Sequence, residues 1–221
     1  MRLEYPLSTN RLVISEHSKL DLPIMHLLLS DEVSMYYLQD IRTKTIEETE
    51  KNLMTAIEES FIENRKKFFF KICDKNNEYI GEIGYTVRFE CNEGKNVDFG
   101  YFIRKEFWNK GYTFEAANAC VKYGFENLGI YKIQTGCIVN NIASEKIMIK
   151  LGMKKESYKK KHVLHDGVLK DRVEYALFRE EYYQRFSSNN RFNRIIPLSR
   201  FLLRNNRAKP CGHGRRRLSV C

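Results

Sequence analysis

From Asn109 to Thr113 the chain reads Asn-Lys-Gly-Tyr-Thr, set between a run of alternating, largely apolar residues and a segment with helical periodicity. A strand that delivers a glycine-bearing loop with free backbone N–H groups to a helix N-terminus is a physical arrangement for holding phosphate. The helix dipole, with Lys110, would add favourable charge. Other polar residues make weaker cases. Cys211 and His213 share only a C-x-H spacing, far short of four zinc ligands, so no metal is expected. His162 and His165 fall beside a turn and read as turn and surface residues rather than ligands. The six cysteines are scattered with no CxxC pair, which reads as reduced cytosolic thiols rather than a disulfide framework. Cys120 and Cys137 fall on apolar periodicity and belong to the core.

The elements that must position the loop follow from pattern. Asn10–Ser15 is a strand, and Asp21, Leu22 and Pro23 open a helix, since proline is tolerated in a first turn. Thr45 and Glu48 have capping-box spacing, and the helix they start carries Ile46, Leu53, Ile57 and Phe61 on one stripe and ends near Asn64. Lys67–Cys73, Glu78–Phe89 and Asn96–Arg104 are three strands joined by turn signals, two antiparallel hairpins in succession. The third alternates, with Val97, Phe99, Tyr101 and Ile103 on one face, and Gly100 on the other marks a bulge or a close backbone approach.

Thr113–Leu128 is a helix with Phe114, Ala117, Val121, Gly124 and Leu128 on one face and Gly129 at its C-terminal cap. Ile130–Val139 is a strand. Asn141 starts a helix with Ala143, Ile147 and Leu151 at i, i+4 spacing. Lys154–Val163 and Asp171–Arg179 flank the turn His165–Gly167. The order implies an α/β (α+β) fold with a mixed, mostly antiparallel sheet flanked by helices.

The whole chain has 221 residues and a net charge of +10. From Ser187 to Cys221 there are nine Lys or Arg and no Asp or Glu, so removing that segment's +9 leaves +1 for the rest. The expected organisation is one domain over residues 1–186 and a basic, disordered tail over 187–221 that could touch RNA or a ribosome. Its one apolar patch, Ile195–Leu203, could form a short amphipathic turn. No apolar run approaches the roughly 18–20 residues of a membrane helix, and the first residues do not resemble a secretory signal. A cytoplasmic location is expected.

Three segments in order resemble one family. STNRLVIS near the start, DFGYFIRKEFWNKGYTFEA around the loop, and NNIASEKIMIKLGMKKES after it resemble the GNAT superfamily of acetyl-CoA-dependent N-acetyltransferases, and within it the ribosomal-protein N-terminal (Rim-type) group. The likeness covers about Ser8 to Glu181. It implies a GNAT-like sheet of about seven strands and acetyl-CoA as co-substrate. The pyrophosphate would lie on the amides of Asn109, Lys110, Gly111, Tyr112 and Thr113. Trp108 and Thr113 depart from the superfamily's loop pattern, Thr113 by being bulkier than glycine or alanine. The pantetheine arm would pair with a strand edge at Phe102, Ile103 and Arg104, one of whose amides would polarise the thioester carbonyl. Asn141 and Ser144 would line the thiol end, although asparagine is also a favoured N-cap in any fold.

Chemistry needs a deprotonated amine and an acid for the departing thiolate. Where many relatives carry a proton-donating Tyr, seven residues after the helix-start Asn, this chain has Met148; Tyr112, Tyr158 or solvent would have to substitute. Asp98 is the first candidate base and Glu82, on the adjacent strand, the second. Deprotonating an α-amino group of pKa about 8 at pH 7 takes roughly 1.4 kcal/mol, against roughly 4.6 for a lysine-like amine. A site with no evident base therefore favours a protein or peptide α-amino group. Two alternatives stand beside that reading: acetylation of a small-molecule amine such as an aminoglycoside or polyamine, and a CoA-binding or RNA-associated module without catalysis.

Overall fold

The computed structural model describes Leu3 and residues 6–189. Helix α1 (Leu22–Ser30) has proline in its first turn, as expected, and is preceded by a short 3-10 turn at Lys19–Asp21. Helix α2 (Ile46–Phe61) starts on a closed capping box: Glu48 N–H donates to the Thr45 hydroxyl, and the Glu48 carboxylate takes the N–H groups of Thr45 and Lys44. It ends at Phe61, short of Asn64.

Eight strands form one sheet: β1 (Leu7–Ser8), β2 (Leu12–Ser15), β3 (Lys67–Asp74), β4 (Tyr79–Cys91), β5 (Gly94–Ile103), β6 (Ile130–Ile138), β7 (Lys154–His165) and β8 (Val168–Phe178). Their order is β1-β2-β3-β4-β5-β6-β8-β7. Every neighbouring pair is antiparallel except β5 and β6, whose parallel run is what the intervening helix α3 (Tyr112–Asn127) makes possible. The β7–β8 turn has left-handed residues at both central positions, Asp166 at φ 49° and Gly167 at φ 71°, the two-residue turn that matches strand twist.

The two sheet faces carry different cores. Phe68, Phe70, Tyr85, Val97 and Phe99 meet Ala116, Cys120 and Val121 of α3, together with Met148 and Leu151 at the end of α4 (Ile142–Lys150). The other face carries Met25, Leu28, Leu29 and Leu53 of α1 and α2 against Cys73, Tyr79 and Phe102. One register slip matters for the site: Ile72 pairs with Gly81 and Cys73 with Tyr79, so Ile80 is the extra residue. That bulge brings Tyr79 and Glu82, three apart, onto the same face.

Several expectations change. The β4–β5 ladder runs unbroken through Gly84 and Gly100, so Gly100 is no bulge; the ladder slips at Val87–Phe89 instead. A Cβ at Gly100 would meet nothing within 4 Å. On α4 the buried residues are Met148 and the C-cap Leu151, with Ala143 exposed. His165, expected at the surface, is 4% exposed. Helix α5 (Arg179–Asn189) is the last described element. Residues 190–221, which hold Ile195–Leu203, Cys211, His213 and the arginine-rich run, lie outside the described residues.

Candidate active site

β5 and β6 pair only from Lys95–Asp98 against Ile130–Gln134. Beyond Asp98, β5 stays bonded to β4 as far as Ile103, and β6 stays bonded to β8 as far as Ile138. The two strands therefore part, leaving a wedge with unpaired backbone groups on both sides. Orientation within the wedge follows from strand alternation. Arg104 N–H donates to Ile80 O at 2.9 Å, so it faces β4. Phe102, two residues earlier, faces the same way. Of the three positions expected to bind a ligand by their backbone, Ile103 alone turns to the wedge, joined by Tyr101. The Ile103 carbonyl is already taken by the Trp108 indole N–H at 3.1 Å.

The chain next makes a single 3-10 turn at Lys105–Phe107 and enters the loop. Asn109 at φ 60° and Gly111 at φ 79° are both left-handed, and Gly111 is the N-cap of α3 without a side-chain capping bond. The first α3 bond to form is Glu115 N–H to Gly111 O. The six amides from Asn109 to Phe114 donate to no protein acceptor among the described residues. Six convergent donors at a helix N-terminus form a concavity for an anion, and the expected residues Asn109, Lys110, Gly111, Tyr112 and Thr113 are all in it.

Two residues outside the sequence-based expectation hold this loop in place. Glu115 accepts from the Thr9 hydroxyl at 2.6 Å, the Arg11 amide at 2.8 Å and Arg11 Nε at 2.7 Å. Arg11 Nη1 donates to Lys110 O at 3.0 Å, and its guanidinium lies 4.5 Å from the centre of the Tyr112 ring. Partial burial alone would push the Glu115 carboxyl up; the bonds from Thr9 and Arg11 outweigh it and hold the group below the ordinary glutamate value. A cleft of about 380 Å³ opens beside this clasp, lined by Arg11, Gly111, Phe114, Asn118 and Lys150. Lys150 Nζ sits 4.0 Å over the Phe114 ring.

At the end of β6, Asn141 caps α4 by accepting from Ser144 N–H at 3.2 Å. Tyr101 reaches from β5 to this helix start, its hydroxyl 3.2 Å from Ser144 O and 3.3 Å from Ser144 Oγ. Tyr101 thus spans the wedge and joins Asn141 and Ser144 in one cluster; its place in the quoted G-Y pair was the signal for it. Burial pushes its hydroxyl well above the ordinary tyrosine value, so it stays protonated. Met148 is fully buried. The other tyrosines considered are engaged elsewhere: Tyr112 lies against Arg11 and Phe107, and Tyr158 donates to Asp171. Cys137, the thiol nearest this helix start, is pushed up to about 11 by burial.

The two carboxylates lie on the α1–α2 face four register positions apart, in the pairs Thr86–Asp98 and Glu82–Phe102. Asp98, at the last β5–β6 pair before the strands part, is half-exposed and accepts from Arg88 at 3.3 Å and Gln134 at 3.2 Å. Glu82 is 5% exposed with both oxygens engaged, one with His17 Nε2 at 2.8 Å and the other with the Tyr79 hydroxyl. Asp21 Oδ2 stands 3.8 Å from His17 Nδ1 and is itself held by Lys71 at 2.9 Å. Burial would lower the His17 pKa, but Glu82 and Asp21 together raise it above the ordinary value. The structure thus brings Asp98 to the head of the wedge and encloses Glu82 in a buried network in which both its oxygens are engaged, while His17 Nδ1 has no hydrogen-bond partner among the described residues.

Among the described residues no helix is long and apolar enough to cross a membrane, and no group of metal-ligating side chains gathers. Comparison with known proteins matches residues 11–154 to the acetyltransferase (GNAT) domain model. The uncharacterized N-acetyltransferase YnaD of Bacillus subtilis is 27% identical over 176 residues, 80% of this chain and 98% of the relative. The [ribosomal protein uS5]-alanine N-acetyltransferase of Escherichia coli is 35% identical over 110 residues, 50% of this chain and 57% of the relative. A GNAT-family acetyltransferase structure from Bacillus anthracis superposes with a TM-score of 0.68 at 28% identity, covering 80% of this chain and 99% of that one. A wedge opened between two parallel strands, a nest of unbonded amides at the following helix and these likenesses converge: the chain belongs to the GNAT acetyltransferase family and is an N-acetyltransferase.

Proposed function

We propose that the protein moves the acetyl group of acetyl-CoA to the α-amino group of a protein or peptide in the cytosol. The observation that carries the acceptor half is the state of the carboxylates. The wedge presents one, Asp98, half-exposed and shared with Arg88 and Gln134, while Glu82 is enclosed. Without a desolvated base, an α-amino group at roughly 1.4 kcal/mol of deprotonation is a far easier nucleophile than a lysine-like amine at roughly 4.6. The stretch 35% identical to an enzyme named [ribosomal protein uS5]-alanine N-acetyltransferase supports a protein acceptor.

The residues present fit acetyl-CoA. The six amides from Asn109 to Phe114 would hold the pyrophosphate, and the cleft between Arg11 and Lys150 would take the adenosine end. Tyr101 and Ile103, the backbone positions facing the wedge, would bind the pantetheine arm. When bound, acetyl-CoA supplies an acetyl thioester. An amide on the β5 edge polarises its carbonyl. Asp98 accepts the amine's proton as the C–N bond forms, directly or through water. The Tyr101 hydroxyl, kept protonated by burial, would donate a hydrogen bond to the sulfur as the C–S bond breaks, and the departing thiolate would take its proton from solvent. Burial keeps the Cys137 thiol protonated and 6% exposed, which favours direct attack of the amine over a covalent acetyl-enzyme.

Acetyl-CoA consumption against peptides with a free α-amino group, peptides with only lysine amines, spermidine and an aminoglycoside tests the reading. Faster turnover of the α-amino peptides is the expected result. Preferential turnover of spermidine or an aminoglycoside would refute it.

A further inference from the structure

The residues between α1 and α2 arch over the open end of the wedge. Ser34 Oγ accepts from Lys105 N–H at 3.0 Å at the end of β5, and the Tyr37 hydroxyl donates to Asn140 O at 3.0 Å at the end of β6. The arch then meets the β7–β8 tip, where His165 Nε2 lies 2.8 Å from Tyr36 O and Gln39 donates to Asp166 at 2.6 Å. The hairpin therefore forms one rim of the opening through which an acceptor approaches.

That rim has an unusual build. Between the pairs Lys159–Arg172 and Val163–Lys170, β7 carries three residues where β8 carries Asp171 alone. Lys161 adopts a left-handed φ of 48°, a conformation uncommon for lysine. Asp171 holds it there, accepting the Lys161 N–H at 2.8 Å and the Tyr158 hydroxyl. Bulges next to functional sites re-aim side chains. Here the result is that, among the described residues, Lys160 and Lys161 are exposed and Lys170 half-buried with no carboxylate within 4.0 Å of any of the three ammonium groups, Lys160 and Lys161 acting on Asp171 only from farther off, whereas Lys155, Lys159 and Arg172 nearby are paired with Glu145 and Glu174. Beyond the bulge, Leu164 and Leu169 face each other across the hairpin and are 67% and 53% exposed, with Val168 equally open.

We propose that this hairpin is the docking arm for a protein acceptor whose surface beside the reacting amine is acidic and apolar. The inference rests on the protein-amine reading above and adds the chemistry of the acceptor. Exposed lysines outside any close ion pair among the described residues, next to an exposed leucine pair, complement carboxylates next to apolar side chains. A polyamine would meet like charge on this rim and would leave the leucines bare. A second copy with this hairpin on the two-fold axis would set lysine against lysine.

The test uses the full chain with three short peptides of one length, each with a free α-amino alanine, followed by Asp and Glu, by Asn and Gln, or by Lys among the same apolar residues. The acidic peptide is expected to exceed the lysine peptide in kcat/KM by at least about tenfold, through KM, with the gap shrinking as salt is added. Lys160→Glu combined with Lys161→Glu should invert that order and leave CoA affinity unchanged, and Leu169→Ser should raise KM for all three peptides. Equal kcat/KM for the three peptides, or no effect of the lysine replacements, would overturn the docking arm while leaving α-amino acetylation intact. Turnover of spermidine in preference to every peptide would instead remove the reading beneath it. Two further results also overturn the arm: a dimer that Leu169→Ser makes monomeric, or a single-stranded RNA oligonucleotide released by the lysine replacements.

Discussion

Gly111 offers the sharpest test of the phosphate nest, because two substitutions there separate the backbone conformation from the hydrogen bond. The residue sits at φ 79°, ψ 2° in the middle of six unbonded amides. A Cβ would come no nearer than 3.4 Å to Arg11 Nη2, so space does not forbid a side chain. Gly111→Ala therefore keeps the N–H and adds only the left-handed penalty, about 1–2 kcal/mol. Proline requires φ near −65° and has no N–H, so Gly111→Pro reverses the local turn and deletes a donor. A charge-assisted hydrogen bond contributes about 1.5–3 kcal/mol, or about 10- to 150-fold in Kd. Since the turn also orients the neighbouring amides, Gly111→Pro is expected to weaken CoA binding by at least about 100-fold, and Gly111→Ala by no more than about tenfold. Calorimetric titration of CoA into each variant, after circular dichroism and melting have shown that it folds, provides the measurement. A folded Gly111→Pro protein that binds CoA with unchanged Kd would refute the assignment of the pyrophosphate to this loop.

Three further predictions concern side chains. Tyr101→Phe should lower kcat by about 10²- to 10³-fold with CoA Kd preserved; a protein that loses stability but keeps kcat would show that the hydroxyl only ties β5 to Ser144. Glu115 has a lowered carboxyl pKa, so its contribution to stability is complete above the ordinary value of 4.5 and is lost as pH falls through the lower, folded value. In urea unfolding, the advantage of wild type over Glu115→Gln should therefore persist down to pH 4.5 and shrink below it, and a constant advantage would contradict the clasp. His17 has a raised pKa, which gives the opposite sign: its contribution is complete below 6.5 and is lost as pH rises through the folded value. The stability gap between wild type and His17→Gln should narrow on the alkaline side, and a gap that widens there would mean that His17 is buried neutral.

The capping box at Thr45 and Glu48, the strand–loop–helix around Gly111 and the N-cap at Asn141 were legible because each depends on residues close in sequence, whose chemistry dictates their local geometry. What stayed hidden depends on partners far apart. Arg11 and Glu115 are quoted residues of two separate motifs, yet nothing local says that one clamps the other. Glu82 reads as a strand carboxylate until the bulge at Ile80 and the position of His17 show both oxygens consumed. Gly100 was given two readings, bulge or close approach; pairing with Gly84 in an unbroken ladder removes the first, and the open space where its Cβ would lie removes the second among the described residues. His165 looked like a turn residue because the turn is exposed, and only the arch from α1 to α2 buries it.

The same division explains why the cofactor side could be read further than the acceptor side. Pyrophosphate is held by main-chain amides, and every residue type but proline supplies one. The requirement thus falls on conformation, which Gly111 and Asn109 signal by occupying left-handed φ. Thr113 can replace a smaller residue there because its amide stays free whatever its side chain. The acceptor side is built from side chains at the ends of strands, where Asp98, Tyr101, the Ser34–Gln39 arch and the β7–β8 hairpin meet only after the sheet has formed. Each can change identity without disturbing the amide nest. Proteins that share the nest are therefore free to differ in what they acetylate, and the acceptor must be sought in the hairpin's lysines and leucines.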